Sequence, residues 1–298
     1  MTTTNARPRD PVKAHPEGPF PEQQQPWPGL AANMAPRPDH GESSYRGSNR
    51  LHGRKALVTG GDSGIGRAAA IAFAREGADV AISYLPDEEP DAREVVEEIE
   101  TAGRNAAALP GDIRSEEFCN RLVADAVARL GGLDILVNNA ARQKAFESID
   151  ALTTEDFDWT YKTNIYAMFW ITKAAVAHMK EGACIINTAS VQAYEPDAHL
   201  LDYASTKAAI VSFTKSLAKQ LAKRGIRVNA VAPGPIWTPL QVTGGQPPQK
   251  IPSFGSETPY GRAGQPAELA PLYVALASPE FSYSSGQVFG AAAASGDP

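Results

Sequence analysis

With 298 residues, 43% hydrophobic and 21% charged, the chain has the composition of a soluble globular protein and the length to bury a sizeable core. A net charge of −6 and a pI near 5.5 argue against a nucleic-acid or anionic-membrane binder. No apolar run approaches the ~18 residues of a membrane helix, no hydrophobic signal core is present, and neither the cysteines (Cys119, Cys184) nor the five scattered histidines have metal-ligand spacing, so a cytoplasmic, metal-free protein is expected.

Residues 1–50 differ from everything after them. Nine of the 24 prolines fall there, around the run QQQPWPGL, with no helical or strand period. That composition reads as an extended, polyproline-like or disordered arm. Two readings stay open: a loose tail, or an arm lying on the next domain or a neighbouring subunit, anchored by Phe20, Trp27 or Tyr45.

From Leu51 the pattern becomes an alternation. KALVTG predicts a strand and GIGRAAAIAFAREG a helix stopped by Gly77; VAISYL predicts a second strand, followed by an acidic-headed helix closed by Gly103. AAALP, LDILVNNA, ACIINTAS, IRVNAVAP and GQVFG supply five more strands, with helices between them over about 115–130, 153–180, 200–224 and 266–278. Strands alternating with helices mean a parallel sheet covered on both faces, here an α/β doubly wound, seven-stranded Rossmann fold in one domain over 51–298. Ligands are expected at the carboxyl ends of its strands.

The first strand-to-helix turn, Thr59-Gly60-Gly61-Asp62-Ser63-Gly64-Ile65-Gly66, has the glycines that let backbone amides approach a pyrophosphate at a helix start. With Ala69 it satisfies the dinucleotide pattern, and no Gly-Lys-Ser/Thr follows to suggest a nucleoside-triphosphate loop. At the end of the second strand an acidic residue would hold the ribose 2′-hydroxyl of NAD. Ser83-Tyr84 stands there instead, which favours NADP and leaves NAD open, since Asp87, Glu88 and Glu89 follow without an arginine.

In the helix after residue 200, Tyr203 and Lys207 are four apart and share a face. A fixed ammonium beside a phenol lowers its pKa from about 10 toward the range useful for proton transfer.

Taken in order, Thr59-Gly-x3-Gly-x-Gly, Asn138-Asn139-Ala140, Asn164, Ser190, Tyr203-x3-Lys207 and Pro233-Gly234 resemble the short-chain dehydrogenase/reductase family over about residues 51–290. The arm together with TGGDSGIGRA, ISYLPDEE and APGPIWTPLQ resembles its bacterial NADP-dependent aldehyde reductases and general-stress oxidoreductases. The resemblance implies that Tyr203 protonates a carbonyl oxygen, or accepts the proton in alcohol oxidation. It implies that Lys207 lowers the Tyr203 pKa and holds the nicotinamide ribose, that Ser190 binds the substrate oxygen, and that Asn164 holds a proton-relaying water. It places the coenzyme on Gly60, Asp62, Ser63, Gly64, Ile65 and Gly66, its ribose near Ser83 and Tyr84, and its adenine near Asp112 and Ile113. Asn138 and Ala140 would position it by backbone contacts, and Pro233, Gly234, Ile236 and Thr238 would line the nicotinamide. Two departures are visible: Ala141 where the family often has glycine, and AAAASG in place of a glycine-rich closing turn.

The aperiodic, Gly- and Pro-rich stretch VTGGQPPQKIPSFGSETPYGRAG reads as a binding loop or lid. With Gln143, Gln192, Tyr194, His199, Trp237 and Phe254 it is expected to form a pocket for a small aldehyde, ketone or alcohol. The expected enzyme is an NAD(P)-dependent oxidoreductase, favouring NADP(H), and by family resemblance a homotetramer. An NAD-dependent sugar or polyol dehydrogenase is the alternative within the class, and a non-catalytic dinucleotide sensor the alternative outside it.

Overall fold

The computed structural model describes residues 10–294. Seven parallel strands, β1 Lys55–Thr59, β2 Asp79–Tyr84, β3 Ala106–Pro110, β4 Ile135–Asn138, β5 Cys184–Thr188, β6 Arg227–Pro233 and β7 Val288–Ala291, form one sheet in the order β3-β2-β1-β4-β5-β6-β7. Alternate residues leave opposite faces of each strand, and both sets are apolar because both faces are covered. Ala56, Val58, Val80, Ile82 and Ile186 pack with helices α1 (Gly64–Arg75), α2 (Glu89–Thr101) and α7 (Pro266–Ala277). Leu57, Ala81, Leu136, Ile185 and Val228 pack with α3 (Glu116–Leu130), α5 (Ala167–Val176) and α6 (Leu201–Leu221). Each buried Leu, Ile or Val contributes about 1.5–3 kcal/mol relative to exposure.

The strand order reverses between β1 and β4, which opens a crevice at their carboxyl ends. The helix expected over 153–180 is not continuous. It runs as α4 (Thr154–Tyr161), then a π turn over Lys162–Tyr166, then α5. Apolar spacing is intact on either side of the inserted residue, so nothing in the sequence pattern marks it; such bulges are frequent at functional sites. Among the described residues, no helix is long and apolar enough to cross a membrane, and no cluster of His, Cys, Asp or Glu is placed to hold a metal.

Residues 10–50 run extended over this frame, with a single 3-10 turn at Ala31–Asn33; positions 1–9 lie outside the described residues. Phe20 is buried and stacks on Trp237 at 4.1 Å, and the Trp237 indole donates to the Pro36 carbonyl. Gln25 N donates to Val242 O at 2.9 Å. The amides of Ala31 and Ala32 donate to the buried Asp91 carboxylate on α2, and the Tyr45 hydroxyl donates to Glu76 at 2.7 Å. All three aromatic residues expected as anchors touch the body of the protein, Trp27 through Trp159 at 6.4 Å between ring centroids.

Candidate active site

The glycine turn is shaped by three separate demands. Gly60 and Gly64 have φ of +60° and +51°, which side chains disfavour. A Cβ on Gly66 would lie 1.9 Å from the Gly60 carbonyl oxygen, so this glycine lets α1 sit against the turn. The turn is stapled to β4: Thr59 Oγ1 accepts from the amides of Asn139 and Ala140 at 2.9 and 3.1 Å, and Asn139 Nδ2 donates to the carbonyls of Thr59 and Gly60. The amide-lined start of α1 is thereby held rigidly at the crevice, an arrangement suited to a pyrophosphate.

One continuous cleft runs along the carboxyl edge of the sheet. Gly60, Asp62, Ser63, Gly64 and Ile65 form its middle, with Ala140 opposite. Ser83, Tyr84, Asp112 and Ile113 line one end. Ser190, Tyr203, Lys207, Pro233, Gly234, Ile236 and Thr238 line the other. A backbone cradle too tight for side chains, flanked by two lined ends, fits a dinucleotide.

Tyr203 and Lys207 lie on the first turns of α6, facing one way, with the Lys207 ammonium 5.2 Å from the centre of the Tyr203 ring. Both are buried, and Lys207 Nζ donates to the Thr188 carbonyl at 2.8 Å. The start of α6 is fixed from below by the fully buried Asp202, which accepts from Tyr203 N at 2.8 Å and from the Thr160 hydroxyl at 2.6 Å. Ser190, at the end of β5, begins a short 3-10 turn and accepts from Gln192 N.

The expected lowering of the Tyr203 pKa is not what the coenzyme-free site has. Burial pushes the phenol up to about 12, with the Ser190 hydroxyl opposing it, and burial pushes Lys207 down to about 7. In a dry site desolvation disfavours the charged form of each group, the phenolate of Tyr203 and the ammonium of Lys207.

Four of the expected site residues have their side chains committed within the protein. Asn138 points into the sheet, donating to Thr172 and Asn187, and does not line the cleft; its neighbour Asn139 does. Asn164 lies in the π turn with its amide committed, accepting from Arg142 N and donating to Arg142 O and Thr206 Oγ1, so its side chain braces the loop after β4. The Asp112 carboxylate is held by Arg114, which keeps it below the usual carboxylate range, and the Tyr84 hydroxyl donates to Glu89 at 2.6 Å. Of the residues expected in the substrate pocket, Gln143, Gln192 and Phe254 line the cleft. Trp237 is sealed beneath Phe20 instead, and His199 Nδ1 lies 3.1 Å from the Phe146 carbonyl. Tyr194 is not among the lining residues either.

The cleft also takes residues that the sequence did not mark. Trp27 and Pro28 of the arm line it, as does Trp159 of α4, whose ring is flanked by the guanidinium groups of Arg114 and Arg142 at 4.7 and 4.6 Å. Alternating tryptophan and proline was the available signal for Trp27, but which surface it meets depends on a contact 132 residues away.

Residues 60–291 match the family model described as enoyl-(acyl carrier protein) reductase. The chain belongs to the short-chain dehydrogenase/reductase family. It is 58% identical to the uncharacterized oxidoreductase YghA of Escherichia coli K12, over 95% of this chain and 96% of that one. It is 48% identical to NADPH-dependent aldehyde reductase 1, chloroplastic, of Arabidopsis thaliana, over 90% and 94% respectively. Among solved structures it superposes on a Burkholderia cenocepacia short-chain dehydrogenase in complex with NADP, with TM-score 0.76 and 37% identity, over 82% of this chain and 98% of that one. This short-chain dehydrogenase/reductase is an NAD(P)-dependent oxidoreductase with a seven-stranded Rossmann fold.

Proposed function

We propose that the protein reduces the carbonyl of a small uncharged aldehyde or ketone with NADPH, and oxidises the corresponding alcohol with NADP+. The observation that carries this reading is the convergence of Ser190, Tyr203 and Lys207 on the cleft that begins at the glycine turn. The coenzyme part draws on the NADP-bound structural relative and the NADPH-dependent aldehyde reductase. When bound, the nicotinamide supplies the hydride.

The chain's own residues handle the oxygen and the proton. The Tyr203 hydroxyl donates its proton to the carbonyl oxygen as it gains charge, and Ser190 donates a second hydrogen bond to the same atom. Lys207, held by Thr188 O and 5.2 Å from the Tyr203 ring, sits where a ribose hydroxyl would reach it. In its protonated form it stabilises the phenolate left behind. Asn164, through Arg142, keeps the wall facing the substrate in place.

The substrate end carries amides and aromatics. Gln143, Gln192, Gln241 and Gln246 line it together with Phe254 and Trp27, and Gln241 Oε1 is buried without a hydrogen-bond partner. Those amides favour a second reading within the class, in which the substrate is hydroxylated, as a sugar or polyol is. We propose a homotetramer whose subunit contacts use α4–α6, where Phe157, Tyr166, Phe169 and Leu201 are exposed; sedimentation of the purified protein tests this. The functional test is absorbance of NADPH or NADH with a panel of small aldehydes, ketones and sugars. Turnover of simple carbonyls with NADPH is expected, turnover with NADH alone would displace NADP(H), and binding without turnover across the panel would leave a sensor.

A further inference from the structure

The adenosine end of the cleft is acidic. With the pyrophosphate at the start of α1 and the nicotinamide at Tyr203, the far end must take the adenosine ribose, and it is lined by Asp62 of the glycine turn and Glu88 of the turn before α2. Asp62 is 1% exposed and its Oδ2 has no hydrogen-bond partner. Glu88 accepts from Leu85 N at 2.7 Å. Behind them Asp91 is fully buried, held by the arm amides of Ala31 and Ala32. Asp87 and the Tyr84 hydroxyl complete the polar surroundings of the pair.

The nearby cations are already engaged. Arg67 is buried on Glu42 and Glu94 with its Nη1 unpartnered and its charge felt at Asp62, Arg37 pairs with Glu94, Arg93 with Glu89, and Arg114 with Asp112. A 2′-phosphate, carrying a charge of about −1.5 to −2 at neutral pH, would meet the buried Asp62 and the half-buried Glu88, with each of these arginines already in an ion pair. Burial raises both Asp62 and Glu88 above the usual carboxylate range; the charge of Asp91 adds to this at Asp62, against its own backbone and Ser63 hydrogen bonds and Arg67, and the charges of Asp62, Asp91 and Asp87 add to it at Glu88, against the Leu85 amide.

We propose that Asp62 and Glu88 are the coenzyme selector: as carboxylates they accept the 2′-hydroxyl of NAD, and as protonated acids they donate to the 2′-phosphate of NADP. This rests on the NADP(H) reading above. Binding of NADP+ then takes up protons from solvent onto these carboxyls, while binding of NAD+ does not. Selectivity follows pH: NADP is preferred where the pair is protonated, and the preference falls as the pair ionises.

The test is coenzyme binding without substrate, by tryptophan fluorescence, over about pH 6 to 9, the range in which buried carboxyls titrate. A chelator is kept present so that no divalent cation bridges phosphate and carboxylate. The ratio of NADP+ to NAD+ dissociation constants is expected to rise about tenfold or more across that range, one proton giving up to about tenfold per pH unit. Asp62→Asn and Glu88→Gln keep shape and hydrogen-bonding oxygens, and should flatten the ratio and tighten NADP+ at the alkaline end about tenfold; melting temperatures check folding. A flat ratio in the wild-type protein, or a slope unchanged in both variants because the phosphate itself takes the proton, overturns the selector and leaves the NADP(H) reading standing. Wild type that binds only NAD+ at every pH, with variants that accept NADP+, upholds the selector and removes the NADP(H) reading. Variants that still refuse NADP+ remove both.

Discussion

The two long walls of the cleft were made in different ways. One, from β5 and α6, draws Ser190, Tyr203 and Lys207 from a stretch of 18 residues, and its geometry follows from strand end and helical repeat. The other is backed by contacts of the arm with residues more than 200 positions later, through Phe20 on Trp237, Gln25 on Val242 and Pro36 on the Trp237 indole. The difference teaches that local spacing can specify chemistry, whereas the enclosure around that chemistry depends on contacts no window of sequence contains. The first wall should fail in rate when altered, the second in stability or substrate affinity.

The sharpest division should come from Tyr203→Phe, which removes the acid and leaves the packing. We expect kcat to fall by about 10²–10⁴ with coenzyme affinity nearly unchanged, measured by turnover and fluorescence titration. A near-normal rate would take the chemistry out of that wall. Trp237→Ala should do the reverse, costing about 3–5 kcal/mol in denaturant unfolding because a fully buried ring and the base of Phe20 are lost together. If unfolding barely changes, the arm contributes little to the fold.

A third experiment probes the buried pair through pH. Lys207 has its pKa lowered from 10.5 to about 7, so between those values the unfolded chain binds more protons than the folded one. Stability of the coenzyme-free protein therefore gains from this group as pH rises through that window. The phenol works oppositely above about pH 10, since its folded pKa lies near 12. Lys207→Met should flatten the rise between about pH 7 and 10 in thermal melts; an unchanged slope would mean that the lysine keeps its proton in the folded protein. The smallest expected effect is from Trp27→Ala: a several-fold higher KM, with kcat and melting temperature little altered, because the ring is half-buried and lines the cleft. A change in kcat alone would move Trp27 from enclosure to chemistry.

Seen against these walls, the legible part of the sequence was whatever repeats at short range. Both faces of each strand are apolar, so seven strands and their direction could be read, and the glycine turn announces itself through residues that tolerate no side chain. The illegible part begins where two neighbours compete for one direction. Asn138 and Asn139 are equivalent in composition; strand alternation sends the first into the sheet and the second to the cleft. The π turn at Lys162–Tyr166 was hidden because an inserted residue leaves apolar spacing intact on either side. Asp112 and Tyr84 line the cleft, but their polar atoms are claimed by Arg114 and Glu89, close in sequence and indistinguishable from solvent-facing charge. Trp237 read as pocket wall until Phe20 was found on top of it.

That stacked pair has a consequence for anyone building chimaeras. The loop that follows Trp237 is the natural place to graft a relative's substrate preference, yet the segment beneath it is anchored to the opposite end of the polypeptide. A transplanted loop that arrives without its matching leader would find no cap for its indole, so the two pieces should be exchanged as one unit.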